Sequence, residues 1–149
     1  MPFEGFDLSI LRRIPLLGKL PEPALEALLP SFELTDAAVG DVVIREGEPA
    51  DRLFCLVKGE VQVVTNYLAD GSHTVDVLGP FSHFGEMGLI LDDAVRTATI
   101  VASEPSVFLT LDREAFRRYL LSDVSATYVL LVEVCRRLRQ TDELLASSD

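Results

Sequence analysis

Three regimes of hydrophobic spacing follow one another along the chain. In FDLSILRRI, residues 6–14, Phe6, Ile10 and Ile14 recur at four-residue steps, which predicts a short helix. Pro15 interrupts it, and PEPALEALLP predicts a second helix that opens on a first-turn proline and stops at Pro30. From Ser31 to Leu111 the chain turns to short β-rich runs. VVI (42–44), LFCLV (53–57), VQVVTNY (61–67), HTVDVL (73–78), TATIVA (97–102) and SVFLTL (106–111) predict strands. Turn signals separate them at Gly40-Asp41, Gly47-Glu48-Pro49, Lys58-Gly59, Asp70-Gly71 and Gly79-Pro80. Asp70-Gly71 is the best hairpin signal, because glycine tolerates the positive φ that such turns need. Many short strands punctuated in this way predict an antiparallel sandwich or barrel.

After Leu111 the helical period returns. Asp112 can N-cap DREAFRRYLL, and Ser122 or Asp123 can cap a long run to about Ala146. Along that run Val124, Tyr128, Leu131, Cys135, Leu138 and Leu145 recur at alternating steps of four and three, a heptad-like seam broken by Asp142. The seam either packs only on the sheet or also pairs with its twin in a homodimer, and both readings stay open. The expected architecture is α+β: N-terminal helices (1–30), an antiparallel β-sandwich (31–111) and two C-terminal helices (112–146), with a short helix after Gly85. One domain is expected to span 1–149, with Ser147-Ser148-Asp149 as a loose tail.

Composition narrows the function. The 149 residues are 48% hydrophobic and 25% charged, an ordinary globular balance, with a formal net charge of −11. Nucleic-acid binders carry a basic face, so direct DNA or RNA binding by this chain is not expected. A small anion remains compatible, because distant carboxylates are screened beyond about 8 Å. Cys55 and Cys135 are too few for a disulfide scaffold or zinc ribbon and read as buried, reduced thiols. His73 and His83 form no close pair and read as surface residues. No metal, no clustered-cysteine cofactor and no nucleophile–base pair is expected, hence no enzyme. There is no signal-peptide pattern and no apolar run of membrane-spanning length, so the expected address is the cytoplasm.

The chemistry concentrates in FGEMGLILDDAVRTAT, residues 84–99. Gly85-Glu86-Met87-Gly88-Leu89-Ile90 can form one or two helical turns whose free amides suit a phosphate. Gly85 and Gly88 would let a ligand approach the main chain. Arg96 opens an apolar strand, where its guanidinium can make a forked contact to a phosphate. Two plainer roles compete: Glu86 as a carboxylate at a helix N-terminus, and Arg96 paired with Asp92 or Asp93. By themselves the residues reach an anion site and stop.

The same stretch resembles the phosphate-binding cassette of the cyclic-nucleotide-binding domain family, F-G-E-x-[AG]-L-[LIF], a short loop, then R-[ST]-A. VVIREGEPADRLFCLVKGEVQV is similar to that family's other signature, a turn glycine, an apolar strand and a second glycine, here Gly47 and Gly59. Cys55 stands where that strand usually has a larger apolar residue. The resemblance covers nearly the whole chain and implies a jelly roll (double-stranded β-helix). It implies that Glu86 accepts from the ribose 2′-hydroxyl and that Arg96 pairs with an exocyclic oxygen of the cyclic phosphate. Gly85, Met87 and Gly88 would offer backbone groups, and the Thr97 hydroxyl would reach phosphate or base. The Glu-to-Arg separation matches the bacterial catabolite-activator branch, and RRLRQTDELL (136–145) is similar to its C-terminal helix. Thr141 falls where a threonine meets adenine, whereas Asp142 replaces a serine that contacts the base across subunits.

The implied function is a regulatory module that binds cAMP or cGMP and signals by movement of its last helix. It would need no cofactor beyond that ligand and no membrane. The alternative is a structural or protein-interaction domain of the same fold that binds no nucleotide. Catabolite activators continue into a DNA-binding domain, so a stand-alone receptor and the effector half of a longer regulator both stay open, with a downstream effector domain or protein as partner.

Overall fold

Strand alternation divides the apolar residues between two cores. The computed structural model describes residues 7–67, 70–120 and 122–147. Its strands are β1 (Glu33–Ala37), β2 (Val42–Ile44), β3 (Arg52–Lys58), β4 (Val61–Thr65), β5 (His73–Leu78), β6 (His83–Phe84), β7 (Thr99–Ala102) and β8 (Ser106–Asp112). The helices are α1 (Leu8–Arg12), α2 (Glu22–Leu28), α3 (Met87–Ile90), α4 (Arg113–Leu120) and α5 (Val124–Ser147). All strand pairs are antiparallel, in two sheets ordered β1-β8-β3-β6 and β2-β7-β4-β5.

Because successive side chains of a strand point to opposite faces, β3 serves both cores. Leu53, Cys55 and Val57 face the helices, where they join Leu109 and Leu111 of β8 with Leu11, Leu25, Phe116 and Leu130. Leu56 and Phe54 face the other sheet and meet Phe108, Val61 and Ile100. There the Phe54 and Phe84 rings stack at 5.2 Å, and Phe108 meets both edge-on. Each fully buried leucine of these clusters contributes about 1.5–3 kcal/mol. This is the α+β sandwich with flanking helices that the pattern predicts, arranged as the jelly roll that the resemblance implies.

Several boundaries differ from expectation. The first helix is shorter and starts after Asp7, whose carboxylate accepts from the Ser9 amide; Phe6 lies outside the described residues. Two strands lack a sequence signal. β1 is polar and mostly exposed, an edge strand that among the described residues pairs only with β8, and β6 has two residues. Conversely, Thr97 and Ala98 stand outside β7 and line the cavity described below. Asp112 caps α4 by accepting from Ala115, and Asp123, rather than Ser122, caps α5 by accepting from Ala126.

α5 docks through Ala126 and Leu130. The seam residues Val124, Tyr128, Leu131 and Leu138 are exposed, so the seam does not pack on the sheet, and Cys135 is exposed with it. Only Cys55 is the buried thiol expected of both; burial, with a smaller push from the Glu86 charge, raises it to about 12. Ser148 and Asp149 of the expected tail lie outside the described residues. No helix among the described residues is long and apolar enough to cross a membrane.

Candidate functional site

β6 ends at Phe84, and the chain turns sharply at Gly85, with φ +87°. A Cβ at Gly85 would collide with Arg96 Nη1 and lie 2.6 Å from the Arg52 carbonyl oxygen. Glycine is therefore the residue that lets a guanidinium lie against this backbone. One turn of helix, α3, follows and packs on a second main-chain surface: a Cβ at Gly88 would come within 2.6 Å of the Ala50 carbonyl. A single turn has little macrodipole, so the choice of an anion falls to the guanidinium and nearby amides.

Two arginines of α4 hold the far end of that turn. Arg113 donates to the carbonyls of Gly88 (2.7 Å) and Ala50 (2.8 Å). Arg117 donates to those of Leu89 (3.1 Å) and Ile90 (2.7 Å) and to Asp92 (2.8 Å). The last carbonyls of a helix need such donors. Asp92 is thereby engaged with α4, which removes it as the partner of Arg96. Its carboxyl sits below the usual range, first through the hydrogen bond and charge of Arg117.

Arg96 is fixed by the Gly47 turn. Its amide donates to the Glu48 carbonyl and its carbonyl accepts from the Gly47 amide, both at 2.8 Å. Its side chain runs inward, and the residue is 7% exposed. Both terminal nitrogens reach the Arg52 carbonyl at 3.3 Å, and the Phe54 ring lies 5.7 Å away. Among the described residues no carboxylate stands within ion-pair distance of it. Burial accordingly lowers its pKa, although a guanidinium keeps its proton in proteins. Five donors and one shared carbonyl leave a buried cation with hydrogen-bonding capacity to spare.

Gly85, Glu86, Met87, Gly88, Arg96 and Thr97 line one cavity of about 210 Å³, together with apolar residues that include Phe84 and Ile100. Thr141 is not among its lining residues. It is exposed on α5, and its hydroxyl donates to the Arg137 carbonyl at 3.1 Å. Glu86 makes no capping hydrogen bond to α3, so the plain capping role does not hold. Its Oε1 lies 3.6 Å from Arg137 Nη1, and its Oε2 lies 3.5 Å from His83 Nδ1. Burial works to raise its pKa, but contacts with His83, its own amide and the Arg137 charge outweigh that and hold it below the usual range. The carboxylate is thus an ionised acceptor facing the cavity.

His83 and Arg137 were not singled out by pattern reading. His83 was expected at the surface, as His73 is, yet its side chain is only 6% exposed. Strand alternation across His83-Phe84 sends Phe84 into the sandwich and His83 toward the helices. Arg137 stands one turn before Thr141, so the same helix face that suggested the threonine carried this signal. Among the described residues no cluster of side chains suited to a metal ion occurs.

A buried guanidinium with no carboxylate partner among the described residues thus lines one cavity with an ionised carboxylate, an arrangement that can meet a group anionic at one end and a hydrogen-bond donor at the other. The model of the cyclic nucleotide-binding domain family matches residues 36–123. The chain belongs to that family. Of its relatives, cGMP-dependent protein kinase 2 of Homo sapiens is 38% identical over 112 residues, 74% of this chain and 15% of the kinase. The CRP-like cAMP-activated global transcriptional regulator of Mycobacterium tuberculosis (strain ATCC 25618 / H37Rv) is 29% identical over 138 residues, 93% of this chain and 61% of the regulator. The chain therefore spans less than two thirds of either relative's length. Among solved structures, the N-terminal domain of a transcriptional regulator from Streptomyces coelicolor A3(2) superposes with a TM-score of 0.78 at 31% identity, covering 91% of this chain and 94% of that one. In this cyclic-nucleotide-binding domain the cassette glycines, Glu86 and Arg96 surround a single hollow.

Proposed function

We propose that this chain is a non-catalytic receptor for cAMP or cGMP that signals through α5, and that residues 1–149 act as one regulatory domain. The observation that carries the reading is the Arg96 guanidinium, buried at the cavity wall with no carboxylate partner among the described residues. The cyclic phosphate supplies the missing charge, and its exocyclic oxygen takes the forked contact. Glu86 accepts from the ribose 2′-hydroxyl, which demands an acceptor. Gly85, Met87 and Gly88 contribute main-chain groups, and the Thr97 hydroxyl reaches the phosphate or base edge.

The cavity is smaller than the about 300–1,000 Å³ of common small-ligand sites. It suits phosphate and sugar, with the base reaching toward α5. Thr141 meets that base only after α5 moves inward, and a ligand drives this movement to the extent that it binds the closed state better. Relatives named for cAMP and for cGMP both match, Thr97 accommodates either base, and Asp142 departs from the adenine pattern. Calorimetric titration with each nucleotide decides the ligand. Saturable binding of at least one, with a raised Tm, supports the receptor. No heat and no stabilisation at millimolar nucleotide leaves the alternative, a structural or protein-interaction domain.

The receptor acts in the cytoplasm, makes no direct contact with nucleic acid and passes its signal to an effector domain or protein. Its own partner is a second copy joined along α5, where Tyr128, Leu131 and Leu138 stand exposed around Cys135. In a parallel twofold pair the two Cys135 thiols meet. Mild copper-catalysed oxidation is then expected to give a covalent dimer on a non-reducing gel, absent in Cys135→Ser. A monomer by sedimentation, with no crosslink, rejects the pairing.

A further inference from the structure

We propose that His83 is a positioning residue for Glu86 and a proton-operated joint between the cassette and α5. The geometry assigns its protons. Arg137 Nη2 lies in hydrogen-bond contact with His83 Nε2. A guanidinium can only donate, so Nε2 accepts and the ring is neutral. A neutral imidazole with an accepting Nε2 carries its proton on Nδ1. That nitrogen is buried, has no partner within hydrogen-bond geometry among the described residues, and faces Glu86 Oε2 at 3.5 Å. One imidazole thus takes an N–H from the last helix and aims another at the carboxylate.

The charged groups around this ring are few. Glu86 faces it from the cassette, and Arg137 from α5, where Glu133 Oε1 holds Arg137 Nε at 3.6 Å. On β3 its cross-strand partner is Cys55, whose thiol, pushed up to about 12, stays neutral. Protonating His83 fills Nε2, removes the acceptor that Arg137 uses and places two cations in contact. Glu86 then binds the imidazolium more tightly, while Glu133 keeps Arg137 on its own helix. The hydrogen bond that breaks is the one from Arg137 to His83. The Arg137–Glu86 pair at 3.6 Å, now competing with an imidazolium for the same carboxylate, is left as the weaker tie between α5 and the cassette. Acid is therefore expected to loosen α5, and, resting on the receptor reading, to weaken closure over a bound nucleotide.

The joint can be tested in ligand-free protein. Long-range ¹H–¹⁵N correlation at about pH 8, with His73→Gln to leave a single imidazole, is expected to show the Nδ1–H tautomer. Amide exchange around Arg137, corrected for intrinsic rates, is expected to quicken about tenfold or more between about pH 8 and about pH 5. In His83→Gln, whose amide donates and accepts without titrating, that quickening should be lost. An Nε2–H tautomer, or exchange that ignores pH, overturns the proposal, and both measurements are made on protein that keeps His83. Titration with cAMP and cGMP at both pH values separates the two readings. If neither nucleotide binds while tautomer and exchange results hold, the joint stands and the receptor falls.

Discussion

Arg96→Ala is expected to weaken cyclic-nucleotide binding by about 2–3 kcal/mol, roughly 30- to 150-fold, while the fold keeps its stability. The two halves of this result have one cause. In the free protein the guanidinium is buried against a single backbone carbonyl and has no carboxylate partner among the described residues. Removing it therefore relieves a desolvation cost and breaks no buried ion pair. With ligand bound, the same deletion leaves a phosphate in the hollow without its counter-charge. Calorimetry and chemical denaturation on one pair of proteins read both quantities. Arg96→Lys is expected between the two, since an ammonium keeps the charge and loses the fork. Unchanged affinity in Arg96→Ala would remove this residue from the site. A large loss of stability would mean that its role is structural.

Period-2 alternation made the β-sandwich legible wherever a strand divides between two cores, as LFCLV does by sending Leu53 and Cys55 one way and Phe54 and Leu56 the other. It failed at β1, where ELTDA lies at an exposed edge and its partner β8, rather than its own pattern, makes it a strand. The cassette residues were legible because glycines, a carboxylate and an arginine follow one another at fixed intervals. Whether Arg96 turned inward or toward Asp92 was not, because that choice depends on Arg113 and Arg117, which enter from α4 some 20 residues later and claim Asp92. Arg137 was hidden for the same reason: it meets Glu86 across 51 positions of sequence, a contact that helix docking creates. The seam on α5 was read correctly as apolar, but its exposure reflects which neighbouring face, Ala126 and Leu130, is small or deep enough to dock.

Gly85→Ala is expected to destabilise the fold by about 2–5 kcal/mol and to abolish measurable nucleotide binding. The backbone at Gly85 sits at φ +87°, where an alanine costs about 1–2 kcal/mol. The new methyl would also lie 2.6 Å from the Arg52 carbonyl oxygen. That carbonyl belongs to β3, whose Arg52 is in register with Asp112 of β8, so it cannot retreat without disturbing the central pair of the sheet. Crowding of this kind adds about 1–3 kcal/mol. The Arg96 guanidinium, also in the path of the methyl, is the softer neighbour and would yield by leaving the wall of the cavity. Gly47→Ala separates these contributions. Gly47 has the same φ of +87° but no atom of the described residues within 4 Å of an added Cβ, so it carries the backbone strain alone. Its variant is expected to lose about 1–2 kcal/mol and to retain affinity within a few-fold. If Gly85→Ala proves as mild as Gly47→Ala by denaturation and titration, the close fit of guanidinium to main chain is not what the cassette glycine provides.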